Sequence, residues 1–89
     1  MDRFKVICEK DNVAVALEDL KPHTFVNVDG SRIEIVSNIP FGHKFAISDI
    51  PANGKVIKYC EEIGVASSPI RKGDHVHIHN LASTRARRP

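Results

Sequence analysis

Phe25-Val26-Asn27-Val28-Asp29-Gly30-Ser31-Arg32-Ile33-Glu34-Ile35-Val36 decides the fold class. Side chains alternate in polarity on both sides of an Asp-Gly pair, the period-two pattern of strands with one buried and one wet face. Asp-Gly suits a two-residue hairpin turn, in which both central residues take positive φ. In the second strand Ile33 and Ile35 point one way, Arg32 and Glu34 the other.

The rest of the chain reads similarly. Towards the N-terminus, Phe4 to Cys8 forms a first strand and Glu9 to Asn12 a polar turn. Val13 to Leu17 could begin a helix, but its short length and β-branched valines favour a strand. Val13, Val15 and Leu17 would face the core, and Ala14 and Ala16 would let another backbone come close. Towards the C-terminus, Ser37 to Gly42 is a loop leading into His43 to Ile47, and Val56 to Tyr59 is a strand. Glu61-Glu62 is a polar link and Ile63 to Ala66 a short extended piece. Asp19-Leu20, Asp49-Ile50 and Pro69-Ile70 begin three copies of one unit: an apolar anchor, a tight turn, and an apolar strand residue six places on. Gly73 is the third residue after its anchor; Asn53 and His23 take that place in the other copies, and Asn tolerates positive φ well. With no long 3.6-residue period, the chain is expected to be all-β.

Gly73-Asp74-His75-Val76-His77-Ile78-His79-Asn80 carries the sharpest chemical signal. Read as a strand, it puts three imidazoles on one face and Val76 and Ile78 on the other. Imidazole binds metals, carries protons and donates or accepts hydrogen bonds near neutral pH. Same-face neighbours on a strand lie about 6.5–7 Å apart. Two histidines plus an outside ligand therefore make a more natural site than all three. A solvated edge strand with local hydrogen bonds is the plainer alternative.

At 89 residues the chain is one small domain with a thin core. Its net charge of +2 owes much to Arg85, Arg87 and Arg88, so the body lacks the basic stripe of a nucleic-acid binder. No apolar run approaches the roughly 20 residues needed to span a bilayer. The N-terminus lacks the apolar core of a signal peptide. A cytoplasmic protein is expected, with Cys8 and Cys60 as reduced, small apolar side chains. The domain is expected to end at residue 81, with 82–89 a basic disordered tail. Exposed strand edges leave a homo-oligomer open.

Ile39-Pro40-Phe41-Gly42-His43-Lys44-Phe45-Ala46, Asp49-Ile50, Val56-Ile57-Lys58-Tyr59, Ile63-Gly64 and the histidine stretch follow one another in an order and spacing that resembles the SAF (antifreeze-like) domain of the altronate/galactarate dehydratase family. The resemblance runs from about Asp11 to Leu81 and is most specific at Gly42-His43-Lys44 and at His75-x-His77-x-His79-Asn80. It implies a β-clip fold, a long hairpin bent on itself so that short strands stack in layers. It implies a small-subunit role beside a large catalytic dehydratase subunit, in the elimination of water from a sugar acid with the help of a divalent metal, Fe²⁺ or else Mn²⁺ or Zn²⁺. Two positions depart from the pattern: Cys60 stands where the family has Gly, and His23 replaces the Gly of the first turn.

On this reading His43, His75, His77 and His79 are candidate metal ligands, and His43 and Lys44 candidate catalytic groups. Lys44, Lys58 and Asn80 are candidate contacts to the sugar acid. Plainer roles stand beside these: a surface loop for His43-Lys44, a solvated Lys58, a core-capping Tyr59, a turn-capping Asp49, a strand-ending turn for Asn80. The resemblance also admits two other functions. One is the small subunit of sulfolactate sulfo-lyase. The other is a non-catalytic module of the kind found in sialic acid synthases and flagellar assembly proteins, binding sugar or protein.

Overall fold

A computed structural model describes residues 3–83. The nine strands are β1 (Phe4–Lys5), β2 (Val13–Ala16), β3 (Phe25–Val28), β4 (Ser31–Glu34), β5 (Lys44–Ala46), β6 (Lys55–Lys58), β7 (Glu61–Ala66), β8 (His75–Val76) and β9 (Leu81–Ser83), with no helix among the described residues. The all-β expectation holds. A central antiparallel sheet has the order β1-β2-β5-β8; hairpin β3-β4 and sheet β6-β7-β9 complete the structure.

The central sheet is buried on both faces. Ala14, Ala16 and Phe45 join Leu20, Val26, Ile33, Ile35 and Ile39 in one cluster, on the side of β3-β4. Val13, Ala46 and Val76 join Ile50, Val56, Ala66 and Ile70 in a second, on the side of β6-β7. Alternation along β2 and β5 assigns neighbouring residues to different clusters. The alanines of β2 thus belong to the core rather than facing a bare backbone. Ala14 lies opposite Phe45, whose ring meets Phe4 edge-on at 5.8 Å. Leu17, expected inside, is 40% exposed, because β2 stops at Ala16.

The repeat is real and has four copies. Leu20, Ile39, Ile50 and Ile70 are all buried, as are Val26, Phe45, Val56 and Val76 six places on. The third residue after each anchor has positive φ: His23 69°, Gly42 84°, Asn53 68°, Gly73 89°. Each donates its amide to the carbonyl of a buried residue at or just past a strand end: Ile35, Ala16, Ala66 and Ala46 respectively. The anchors pair by two backbone bonds each, Leu20 with Ile39 and Ile50 with Ile70, all 2.8 Å long. Asp19 and Asp49 accept the amides of Phe41 and Lys72, so the turn-capping role of Asp49 holds and recurs.

These equivalences amount to an internal duplication. Asp19, Leu20, His23, Val26 and Gly30 correspond to Asp49, Ile50, Asn53, Val56 and Cys60, each thirty positions later. Beyond the hairpin the correspondence is one position longer, as from Ile39 to Ile70. A bulge accounts for it: Val56 pairs with Gly64 but Ile57 with Glu62, leaving Ile63 without a partner. Both hairpins turn on two positive-φ residues, Asp29-Gly30 at 48° and 83° and Tyr59-Cys60 at 61° and 59°.

Several expectations are corrected. Glu61-Glu62 is the start of β7 rather than a link, because Glu61 pairs with Lys58 directly across the tight turn. The first strand ends at Lys5. Leu81–Ser83 is not frayed: its three residues pair with Ala66, Val65 and Gly64. Residues 84–89, with the basic tail's arginines, lie outside the described residues. Cys8 and Cys60 are joined in a disulfide with Cα atoms 5.5 Å apart. They are not reduced core fillers, since Cys60 is exposed and Cys8 only half-buried.

Gly42 and Gly73 hold equivalent turns but differ in surroundings. A Cβ on Gly73 would collide with the Glu34 carbonyl, whereas one on Gly42 meets nothing within 4 Å. Gly73→Ala is expected to cost about 3 kcal/mol or more, and Gly42→Ala only the roughly 1–2 kcal/mol of its backbone conformation. Urea unfolding midpoints of the two variants check the difference.

Candidate functional site

Two copies of the turn deliver the imidazoles. His43 closes the turn that Pro40 opens: its amide donates to the Pro40 carbonyl (2.9 Å), and its own carbonyl accepts from Ala16 (2.9 Å). His75 opens β8 opposite Phe45. The strand then ends after Val76, short of the expected Asn80. His77 N–H donates to Asn80 Oδ1 (3.0 Å) and Asn80 Nδ2 donates to the His75 carbonyl (2.9 Å). The amides of Asn80 and Leu81 both donate to the His77 carbonyl, at 3.0 and 2.9 Å. The asparagine side chain takes backbone groups that a continued ladder would have used. Ile78, expected beside Val76 on the apolar face, is instead 85% exposed.

The turn folds the histidines back onto one another. His43 Nδ1 and His75 Nε2 lie 2.8 Å apart, one ring donating its N–H to the other. The His43 and His77 rings stack at 4.8 Å and 13°, and those of His75 and His77 at 5.4 Å and 17°. His79 leans on His75 at 5.5 Å. All four expected imidazoles therefore meet, but the closest nitrogens belong to a cross-strand pair, not to neighbours along one strand. Beside them a cleft of about 320 Å³ is lined by Ser37, Asp74, His75, His79 and Asn80. The sequence reading missed Ser37 and Asp74. Asp74's place just before His75 was the available signal.

As a metal site the cluster is half-built. The His43–His75 pair lies within reach of one cation, given metal–nitrogen bonds of about 2.0–2.1 Å. Among the described residues no third imidazole nitrogen joins this pair with all three within 4.8 Å of one another. Among the described residues, the one trio of ligand atoms within 4.8 Å of one another is Cys8, Asp11 and Cys60, and its sulfurs are bonded together.

Lys44 stands apart from the rings. It pairs with Val15 and Val76, so register places it on the β6-β7 side of the sheet, while His75 shares the face of Phe45. Burial, and behind it the charge of Lys58, lowers the Lys44 pKa. The Lys58 ammonium also lies 4.7 Å from the centre of the Tyr59 ring. The described ion pairs, Arg3–Glu18, His23–Glu34 and Lys55–Glu62, involve neither Lys44 nor Lys58. Asn80 is buried, with both ends of its amide engaged on the backbone of the turn. It fixes the ring-bearing loop.

Comparison with known proteins places the chain. Residues 2–84 match the model of the altronate/galactarate dehydratase SAF domain, and the chain belongs to that family. It is 49% identical over 70 residues to altronate dehydratase of Escherichia coli, covering 79% of this chain and 14% of that protein. It is 39% identical over 80 residues to altronate dehydratase of Bacillus subtilis, covering 90% and 16%. It is 44% identical over 54 residues to (2R)-sulfolactate sulfo-lyase subunit alpha of Chromohalobacter salexigens, covering 61% and 57%. The chain thus spans about one-seventh of the altronate dehydratases it matches. No helix among the described residues is long and apolar enough to cross a membrane.

Burial, then the rings of His43, His77 and His79 and the charge of Lys44, lowers the His75 pKa below its ordinary 6.5. The folded state then binds fewer protons here than the unfolded state. The resulting stabilisation is present above about pH 6.5 and is lost as pH falls through the folded value. The thermal midpoint, measured with chelator present, should fall from pH 7.5 to 5.5, and fall less in His75→Asn. Asn80→Ala, which leaves two backbone groups of the turn unpaired, should cost about 1–3 kcal/mol in urea unfolding.

Proposed function

We propose that this chain is the site-contributing small subunit of a cytoplasmic lyase that removes water from a sugar acid of the altronate or galactarate kind, its large subunit supplying the rest of the site. The observation that carries the reading is the incomplete cluster: four imidazoles gathered at the surface with two nitrogens 2.8 Å apart. Family membership and the names of the relatives support this reaction class. Phe41 and Ile78, 67% and 85% exposed, occur in the two turns that bear the imidazoles, and the large subunit would cover them.

In this reading the Lys44 and Lys58 ammoniums attract the substrate carboxylate. An ion on His43 and His75 would occupy the nitrogens that otherwise hydrogen-bond to each other, so the base that accepts the proton α to that carboxylate is left to the large subunit. The β-hydroxyl leaves with a proton as water, and the enol product becomes a 2-keto-3-deoxy acid. His43 and His75, joined by a ring of the closing turn, would hold a divalent ion, Fe²⁺ or else Mn²⁺ or Zn²⁺. Such an ion supplies Lewis-acid stabilisation of the charge that develops on the carboxylate. Asn80 acts through the loop it fixes.

A second reading, elimination of sulfite from sulfolactate, is favoured by the sulfo-lyase subunits: the chain covers 57% of one and 81% of another, at 44% and 41% identity. Assay of the complex purified with its large subunit, against altronate, galactarate and sulfolactate with Fe²⁺ or Mn²⁺, separates the two. Turnover is expected in the complex and not in the isolated chain. His43→Ala should lower kcat/KM by about 100-fold or more with the complex intact. Full activity in that variant would overturn the assignment of the site.

A further inference from the structure

The second hairpin differs from the first at one point, and nothing in the proposed reaction uses the difference. Where the first turn has Gly30, the second has Cys60, at φ 59°. A non-glycine residue costs roughly 1–2 kcal/mol there. Cys60 is exposed, so it does not fill a core. Its sulfur is what the position uses, in a bond to Cys8 across 52 residues.

The surroundings hold the two cysteines in place independently of that bond. The buried Asp11 carboxylate accepts the Cys8 amide through one oxygen (3.1 Å) and the Cys60 amide through the other (2.8 Å). Asn12 clamps the adjoining strand: its Oδ1 accepts from Ile57 N–H (2.8 Å), and its Nδ2 donates to the Lys55 carbonyl (2.9 Å). If the disulfide opened, β6 would stay docked through Ile57 and the sulfurs would remain facing. The hairpin tip beyond Ile57 would lose its covalent tether, and that tip carries Lys58 and Tyr59.

We propose that Cys8 and Cys60 form a reversible thiol–disulfide exchange site, opened by low-molecular-weight thiols and closed by low-molecular-weight disulfides, whose state sets how firmly the β6-β7 tip is held. In opening, an external thiolate attacks one sulfur and forms a mixed disulfide, releasing the other cysteine as thiolate. A second external thiolate attacks the external sulfur of that mixed disulfide and releases the second cysteine. Two electrons pass to the protein pair, and the external thiols leave as their disulfide. Closing is the reverse. The exposed Cys60 gives reagents access, and the Asp11 clamp favours reclosure within the molecule over a lasting mixed disulfide.

The test uses the full chain equilibrated across a series of reduced-to-oxidised glutathione ratios, trapped with iodoacetamide and weighed intact. Hydrogen exchange is followed in parallel. The expected result is a reversible passage from no alkylated cysteines to two. Exchange across Lys58–Glu61 should quicken about tenfold in the open form, while Val13–Ala16 keeps its protection. Cys8→Ser should exchange like the open form at every ratio; if it fails to fold, the wild-type titration stands alone. A disulfide closed across the whole range, one that never forms, or one that opens without changing exchange at the tip would each overturn the proposal. None of these outcomes depends on the reaction proposed above.

Discussion

Four residues held at positive φ organise this molecule. Each stands third after a buried anchor and turns its amide onto a buried residue at or just past a strand end. Positive φ is cheap for glycine and tolerable for asparagine. The turn reverses the chain within a few residues and returns it to the core, so an apolar anchor and an apolar strand residue six places apart are both buried. The paired anchors, Leu20 with Ile39 and Ile50 with Ile70, then lock the turns two by two. A chain of 89 residues has little surface to bury. Among the described residues this arrangement ties the turns together through backbone hydrogen bonds without a helix.

The duplication also divides the labour. The first and third turns lead into hairpins β3-β4 and β6-β7, which cover the two faces of the central sheet. The second and fourth lead into β5 and β8, which pair antiparallel in that sheet. Antiparallel pairing brings the entrances of β5 and β8 to opposite ends of a short ladder, and the tight turn after Val76 returns His77 to His43. Alternation then sorts the charges. Imidazoles gather on the face of Phe45, and the lysines 44 and 58 on the side of the second hairpin. Burial, and behind it the neighbouring rings and the charge of Lys44, lowers the His75 pKa.

Most of this was legible in residues, and the exceptions have physical reasons. The Asp29-Gly30 hairpin reads directly because its turn chemistry is local, and the register is as the pattern implies. Three of the four turns were legible; the fourth, at Ile39, was hidden because Pro40-Phe41-Gly42 resembles an ordinary loop. The histidine stretch misled because His-Val-His-Ile-His has the period of a strand, while the side chain of Asn80 decides otherwise. Its three imidazoles still share a side, since both a strand and this turn return alternate residues to one side. The disulfide could not be read from spacing, because its halves are 52 residues apart in different layers. Its trace was Cys60 at a position that calls for glycine.

The two hairpins make the same turn with different chemistry. Gly30 needs no help at its φ of 83°, so the first hairpin can stand by its own pairing and its Val26–Ile33 contact with the core. The second has a bulge after Val56, which interrupts the ladder and costs it regular pairing towards the tip. Its turn residues, Tyr59 and Cys60, carry side chains where glycine would be easier. Restraint must therefore come from outside the hairpin, and the loop from Cys8 to Asn12 supplies it through one covalent bond and three hydrogen bonds to the side chains of Asp11 and Asn12. The strand so restrained ends in Lys58, whose charge reaches Lys44. Placing a cation beside another cation is unfavourable unless an anion comes between them, and holding the tip fixed keeps that demand in place.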